Sequence, residues 1–372
     1  MGHAAHSCPP FLELEVSMRK PRLFSVLAAG LAAAITLNSQ AAQKDSFSVC
    51  WTIYAGWMPW EYGATQGIVD KWAKKYGINI DVVQLNDYVE SINQYSAGQF
   101  DGCTMTNMDA LTIPAAGGVD STALIVGDFS NGNDGVVLKG EKKTLADLKG
   151  KNVNLVELSV SHYLLARGLE KAGLSERDLK VVNTSDADMV AAFATQDVTA
   201  VTTWNPLLAE IEATPGVTKV FDSSQIPGEI IDLMVVNSDT LKDNPALGKA
   251  LTGAWYEIMA TMGDSGAAGQ AAREHMAKAS GTDLKSYEAQ LATTKMFYSA
   301  KDAVAFTKSA RLPETMSKVA AFSFDHGLLG EGAQSADAIG MSFAGGATTG
   351  DQGNLKLRFD PTYMQMAADG QL

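Results

Sequence analysis

The chain has 372 residues, 46% of them hydrophobic and 19% charged, with a formal net charge of −13. It can bury a large core and is too long for a single lobe of ordinary size, so two lobes are expected. The acidic balance, with no basic cluster to offset it, excludes nucleic acid and anionic lipid surfaces as partners.

Arg19, Lys20 and Arg22 precede an uncharged apolar run from Leu23 to Leu37, and Ser39-Gln40-Ala41 follows. That order reads as a secretory signal peptide over residues 18–42, cleaved near Ala41 or Ala42. Its apolar run, about 15 residues, falls short of the ~20 a membrane-spanning helix needs. Residues 1–17 read as an upstream extension, with translation starting at Met18. Export predicts a periplasmic protein. Two cysteines follow the leader, Cys50 and Cys103, each inside an apolar strand-like run. An oxidising compartment permits a bridge, but two buried thiols are the preferred reading, because neighbouring strands rarely meet disulfide geometry.

From Phe47 onward, strand-like and helix-like segments alternate. Strands are predicted over Phe47–Tyr54, Ile78–Gln84 and Asp101–Thr106, with helices over Thr65–Tyr76, Tyr88–Ala97 and Asn107–Ala116. Trp57 to Gly63 reads as a loop. A second α/β run extends from Gly135 to Thr203. The two stretches Gly127–Gly135 and Ser223–Asp232 read as chain crossings that form a hinge. The fold class is therefore α/β with two lobes, each a mainly parallel sheet flanked by helices. Residues 46–130 and 230–372 form the first lobe and 131–229 the second. After Asp232 the chain is mostly helical up to Ala310. A polar, Gly-rich tail follows, with Gly332–Gly353 an irregular surface loop.

No G-x-S-x-G elbow, Walker loop, H-E-x-x-H or C-x-x-C pair occurs, and His162, His275 and His326 lack metal-ligand spacing. The sequence thus gives an enzyme, a metal site or a cofactor no support. Four strand-end segments carry the candidate binding chemistry, because ligands of open α/β sheets bind at the carboxyl ends of the strands. The first holds Trp57, Trp60 and Glu61, where three of the six tryptophans fall within ten residues, and reads as a pocket wall. In the second, Thr106 or Asn107 caps a helix and Asp109 either faces a ligand or supports the turn. The third, Glu157-Leu158-Ser159-Val160-Ser161, enters a helix whose free N–H groups suit an anion, or whose cap is simply Ser161. In the fourth, Asn205 caps a helix and Trp204, which has no capping use, faces the cleft.

Trp57-Met58-Pro59-Trp60, Leu145–Val153, Ser159–Leu174 and Trp204-Asn205-Pro206, with the leader and the two crossings, resemble the periplasmic substrate-binding proteins of ABC transporters. The resemblance covers Ser46 to Gln371 and points to the NMT1/THI5-like branch, which includes taurine, alkanesulfonate, nitrate and thiamine-precursor binders. Within it the chain is most similar to proteins encoded beside urea carboxylase, a group linked to urea and guanidine. The resemblance implies ligand contacts from Trp57, Trp60, Glu61, Asn107, Asp109, Ser159, Ser161 and Trp204 or Asn205. It also implies a monomer that delivers a small molecule to a membrane permease and catalyses nothing. Glu61, Asp109, Glu157 and Asp232 around that site favour a cation or neutral amide over an anion. Guanidinium or urea is therefore the expected ligand, with taurine, an alkanesulfonate or nitrate as the alternative. An exported protein or enzyme of thiamine-pyrimidine precursors is a more distant one.

Overall fold

Nine strands build the larger of two sheets in the computed structural model, which describes Lys44–Leu372; the expected leader and upstream extension lie outside these residues. The chain first lays down β1 (Ser46–Thr52), β2 (Asn79–Leu85), β3 (Gly102–Thr106) and β4 (Ser121–Ser130). It then crosses to the smaller sheet, β5 (Asp134–Lys139), β6 (Asn152–Leu155), β7 (Lys180–Asn183), β8 (Ala200–Trp204) and β9 (Val217–Asp222). It returns through β10 (Ile231–Asn237), β11 (Thr294–Met296), β12 (Gly340–Ser342), β13 (Thr348–Thr349) and β14 (Leu355–Phe359). The larger sheet has the order β13-β12-β14-β4-β10-β3-β1-β2, with β11 beside β4, and the smaller has the order β7-β6-β8-β5-β9. The described residues, 44–372, belong to one compact unit. Among the described residues no helix is long and apolar enough to cross a membrane.

Both sheets are mixed rather than mainly parallel. The βαβ segments pair in parallel as expected, β1 with β2 and β3, and β6 with β7 and β8. The strands next to the crossings do not: β10 is antiparallel to β3 and β4, and β5 to β8 and β9. A strand that enters a sheet directly from the other one has no crossover helix to turn it round, so it can run against its neighbours.

The two crossings coincide with the segments expected from their glycines and proline. They are tied to each other: Ser130 N–H donates to the Ile230 carbonyl (3.0 Å), the Ser130 and Ser223 hydroxyls lie 2.6 Å apart, and Gly132 N–H donates to Ser223 Oγ (2.7 Å).

Three further expectations fail. Met58–Thr65 is a helix, not a loop, because Pro59 sits in its first turn, where its missing N–H costs nothing. The C-terminal segment is ordered structure: Arg311–Asp325 is a helix, and β12 and β14 extend the larger sheet with Met341, Leu357 and Phe359 buried. Strands of two to five residues broken by glycines carry too little periodicity to read. Cys50 and Cys103 form a disulfide rather than two thiols. Parallel register sets them directly opposite each other on β1 and β3, with Cα atoms 4.4 Å apart.

Candidate functional site: an acidic chamber walled by aromatic rings

The chamber lies where the carboxyl ends of β3 and β8 meet the crossings. It is lined by Trp57, Thr106, Asp134, Val160, Trp204 and Asp232, with Tyr54, Tyr88 and Ile230 completing the wall, and all nine residues are buried. Its volume is about 20 Å³, on a scale where a single water needs ~10–15 Å³. That limits a ligand to a few heavy atoms.

The aromatic wall runs from one sheet to the other. Tyr54 meets Trp57 edge-on at 5.1 Å, Trp57 lies tilted over Tyr88 at 5.9 Å, and Tyr88 meets Trp204 edge-on at 5.6 Å. In each edge-on contact the edge of one ring lies against the face of the other.

The opposite wall is a row of carboxyl groups. Asp232 on β10 has Thr106 of β3 as its register partner on one side and Asp128 of β4 on the other, so the three side chains share a face. A register shift follows Asp232, a bulge of the kind that re-aims side chains beside sites. Tyr54 Oη donates to Asp128 Oδ1 (2.9 Å), while Asp128 Oδ2 accepts no hydrogen bond among the described residues. Asp134 is opposite Trp204 in the β5–β8 register and accepts from Ser130 Oγ, which joins it to the linked crossings. Behind the row, Asp109 accepts from Tyr88 Oη (2.6 Å) and Thr106 Oγ1 (2.8 Å). Gly56 makes the close packing possible, since a Cβ there would stand 2.5 Å from the Tyr54 ring and 2.7 Å from Asp128 Oδ2.

Four carboxyl groups are therefore buried in one region, and among the described residues no ion pair reaches Asp109, Asp128, Asp134 or Asp232. Burial pushes the Asp109 carboxyl up to about 6, with the Tyr88 and Thr106 hydrogen bonds holding it back. It pushes Asp134 up to about 7, opposed by Ser130. Asp128 and Asp232 are both raised by burial, and Asp232 further by the neighbouring Asp128 charge. Burying an ion without a partner costs several kcal/mol, so this chamber either holds protons or takes in a cation.

The structure gathers some of the sequence candidates here and disperses the others. Trp57, Trp204 and Asp232 line the chamber, and Asp109 supports it through Tyr88 and Thr106. Trp60 packs on Trp255 at 5.1 Å and shares only a small void behind Trp57. Glu61 is half-buried and faces His275 Nε2 at 2.9 Å on the helix Ala267–Ala279. Both point away because the helical turn carries them toward the helices behind it. Asn107 ties the second crossing to the larger sheet: its Nδ2 donates to the Glu229 carbonyl (3.1 Å) and its Oδ1 accepts from Ile231 N–H (3.0 Å). Glu157 is exposed. Asn205 caps the helix Leu207–Glu212 through Ala209 N–H (2.9 Å).

Ser159, not Ser161, caps the helix Val160–Lys171 by accepting from Ser161 N–H (3.2 Å); the buried Ser161 hydroxyl has no partner. The helix start expected to suit an anion already faces one. Val160 N–H acts on the Asp109 carboxyl, although Asp109 Oδ1 closes no well-formed hydrogen bond.

Sequence reading missed Tyr54, Tyr88, Asp128 and Asp134. The legible clue to Asp128 is a charge inside Ser121–Ser130, an otherwise apolar run. Tyr88 looks like an ordinary helix residue until its hydroxyl is seen to accept from Thr106 N–H (3.0 Å).

A second polar cluster forms although its members lack metal-ligand spacing. His162, Glu176 and His326 converge, with His162 Nε2 and His326 Nε2 at 3.0 Å and 2.9 Å from Glu176 Oε1. The helix Arg311–Asp325, unrecognised in the sequence, delivers His326. His162 Nδ1 accepts from Leu158 N–H (3.1 Å), so the neutral ring carries its proton on Nε2. That tautomer opposes metal ligation through Nε2.

The two mixed sheets with their flanking helices have the fold of the periplasmic binding proteins. The chain belongs to the NMT1/THI5-like family, which its residues 70–261 match. A protein of Brucella abortus (strain 2308), named as a binding protein, is 27% identical over 181 residues, 48% of this chain and 56% of the relative. The chain thus spans just over half the length of the curated relatives it matches first. A protein of Escherichia coli (strain K12), named for binding aliphatic sulfonates, is 37% identical over 84 residues, 23% of this chain and 26% of that protein. Among solved structures, the alkanesulfonate-binding protein of Xanthomonas axonopodis pv. citri bound to MOPS has a TM-score of 0.63 at 17% identity, covering 78% of this chain and 96% of that one. The nitrate-binding protein of Synechocystis PCC 6803 has a TM-score of 0.53 at 12% identity, covering 89% and 99%.

Proposed function

We propose that this protein is the solute-binding component of an ABC importer and that its ligand is a small nitrogen-rich cation, guanidinium. The observation that carries the ligand reading is the buried cluster of Asp109, Asp128, Asp134 and Asp232 beside the rings of Trp57 and Trp204, without an ion-paired basic side chain. A planar guanidinium donates forked hydrogen bonds to carboxylates and stacks on aromatic faces. A cation over tryptophan gains ~0.5–2 kcal/mol, and each charge-assisted hydrogen bond adds ~1.5–3 kcal/mol, enough together for micromolar binding. The four buried carboxyl groups make the chamber a poor place for the sulfonates and nitrate for which the structural relatives are named.

The importer role draws support from family membership, from the binding-protein names of the relatives and from the disulfide, which fits an oxidising periplasm. In operation, the two sheets with their helices open and close about the paired crossings, and the ligand stabilises the closed form that a membrane permease recognises. No step of catalysis is required. Isothermal titration calorimetry of the purified protein against guanidinium, urea, taurine and nitrate tests the reading. Selective micromolar binding of guanidinium supports it, and selective binding of taurine or nitrate refutes the cation assignment while keeping the importer role.

A further inference from the structure

We propose that the chamber exchanges a proton for its ligand: capture of a guanidinium-class cation beside the Asp128–Asp232 pair expels a carboxyl proton held by the empty site. The proposal rests on the cation reading above. Asp232 and Asp128 stand opposite each other on antiparallel strands. Two carboxyl groups so placed cannot both stay ionised in a dry site and share a proton instead.

Of the titratable groups around the pair, the buried carboxyl groups of Asp134 on β5 and Asp109 behind Thr106 disfavour further negative charge, the Tyr54 hydroxyl favours it by donating to Asp128, and Tyr88, Tyr287 and Tyr298 stay neutral phenols. Among the described residues no Lys, Arg or His lines the chamber. A positive charge must therefore come either from protons or from the ligand. When guanidinium enters, its N–H groups can serve the Asp128 and Asp232 carboxylates in place of the proton they share. The proton between the carboxyl groups leaves to solvent. One cation enters and one proton departs, so the net charge of the Asp128–Asp232 pair with the ion it holds is the same before and after capture.

The exchange makes affinity depend on pH in one direction. Below the midpoint of the exchanging carboxyl, affinity for guanidinium rises about tenfold per pH unit, and above it the dependence flattens.

The test is calorimetry of the intact protein with guanidinium hydrochloride between about pH 5.5 and about pH 7.5, in buffers of differing ionisation enthalpy. Release of close to one proton per guanidinium bound at the acidic end, with affinity weakening as pH falls, is the expected result. Asp232→Asn, with its fold checked by circular dichroism, should bind guanidinium with fewer protons released and a flatter pH profile. Guanidinium binding with no proton release and no pH dependence overturns the exchange and leaves the cation reading standing. Absence of guanidinium binding at every pH overturns both. The wild-type buffer series decides the matter even if the variant fails to fold.

Discussion

Asp232 faces Asp128 directly across the β10–β4 pair, at the point where the returning chain re-enters the larger sheet. Both are buried, and neither has a basic partner among the described residues. A fold keeps such a pair only at a cost, and the cost gives the chamber measurable properties.

The first concerns stability and pH. The Asp109 carboxyl is raised to about 6 and the Asp134 carboxyl to about 7 by burial, against ~3.9 for an unfolded aspartate. Between about pH 4 and pH 7 the folded state therefore holds more protons than the unfolded one. The contribution of these groups is fully present below the unfolded value and is lost as pH rises through the folded values. Ligand-free protein should melt several degrees higher near pH 5 than near pH 8, with each kcal/mol worth ~2–4 °C. A melting temperature that rises with pH across this window contradicts the chamber's electrostatics.

Trp57 and Trp204 offer ring faces from opposite sides, one before the helix Met58–Thr65 and one at the end of β8. Replacing either with Ala should weaken guanidinium binding by about 2- to 30-fold, the equivalent of ~0.5–2 kcal/mol. The circular dichroism spectrum should be retained. Unchanged affinity in both variants would place the ligand elsewhere, such as the wider crevice between Leu85 and Pro206.

Gly56 lies against both Tyr54 and Asp128. A methyl group there must push the Tyr54 ring or the carboxyl aside, so Gly56→Ala should cost binding more than stability. The comparison needs a dissociation constant and a urea midpoint on the same preparation. A loss confined to stability would mean that the Tyr54–Asp128 hydrogen bond does not organise the ligand.

Glu61→Gln should leave guanidinium affinity within about twofold, a change of no more than ~0.4 kcal/mol, because Glu61 faces His275 on the outer helices rather than the chamber. A tenfold loss in this variant would return Glu61 to the site.

Glu61 also shows how far the sequence could be read. The aromatic segment after β1, Trp204 at the end of β8 and Asp232 at the second crossing were legible because strand ends in α/β sheets face the cleft. Which side chains of the first segment turn inward depended on Met58–Thr65 being helical. With that segment read as a loop, Trp60 and Glu61 fall beside Trp57; as a helix it turns them away. Asp128 and Asp134 lie in or beside a recognised crossing, yet their burial follows only from the register of β4, β5, β8 and β10. The disulfide likewise required the β1–β3 register. Long-range pairing, not local pattern, supplied these parts of the site.

The most direct measurement is a crystal structure of the protein grown with guanidinium hydrochloride. The account predicts a planar, three-armed ion inside the chamber, its N–H groups on Asp128 and Asp232 and its face against Trp57 or Trp204. An empty chamber, with the ion bound only at another site, would contradict it.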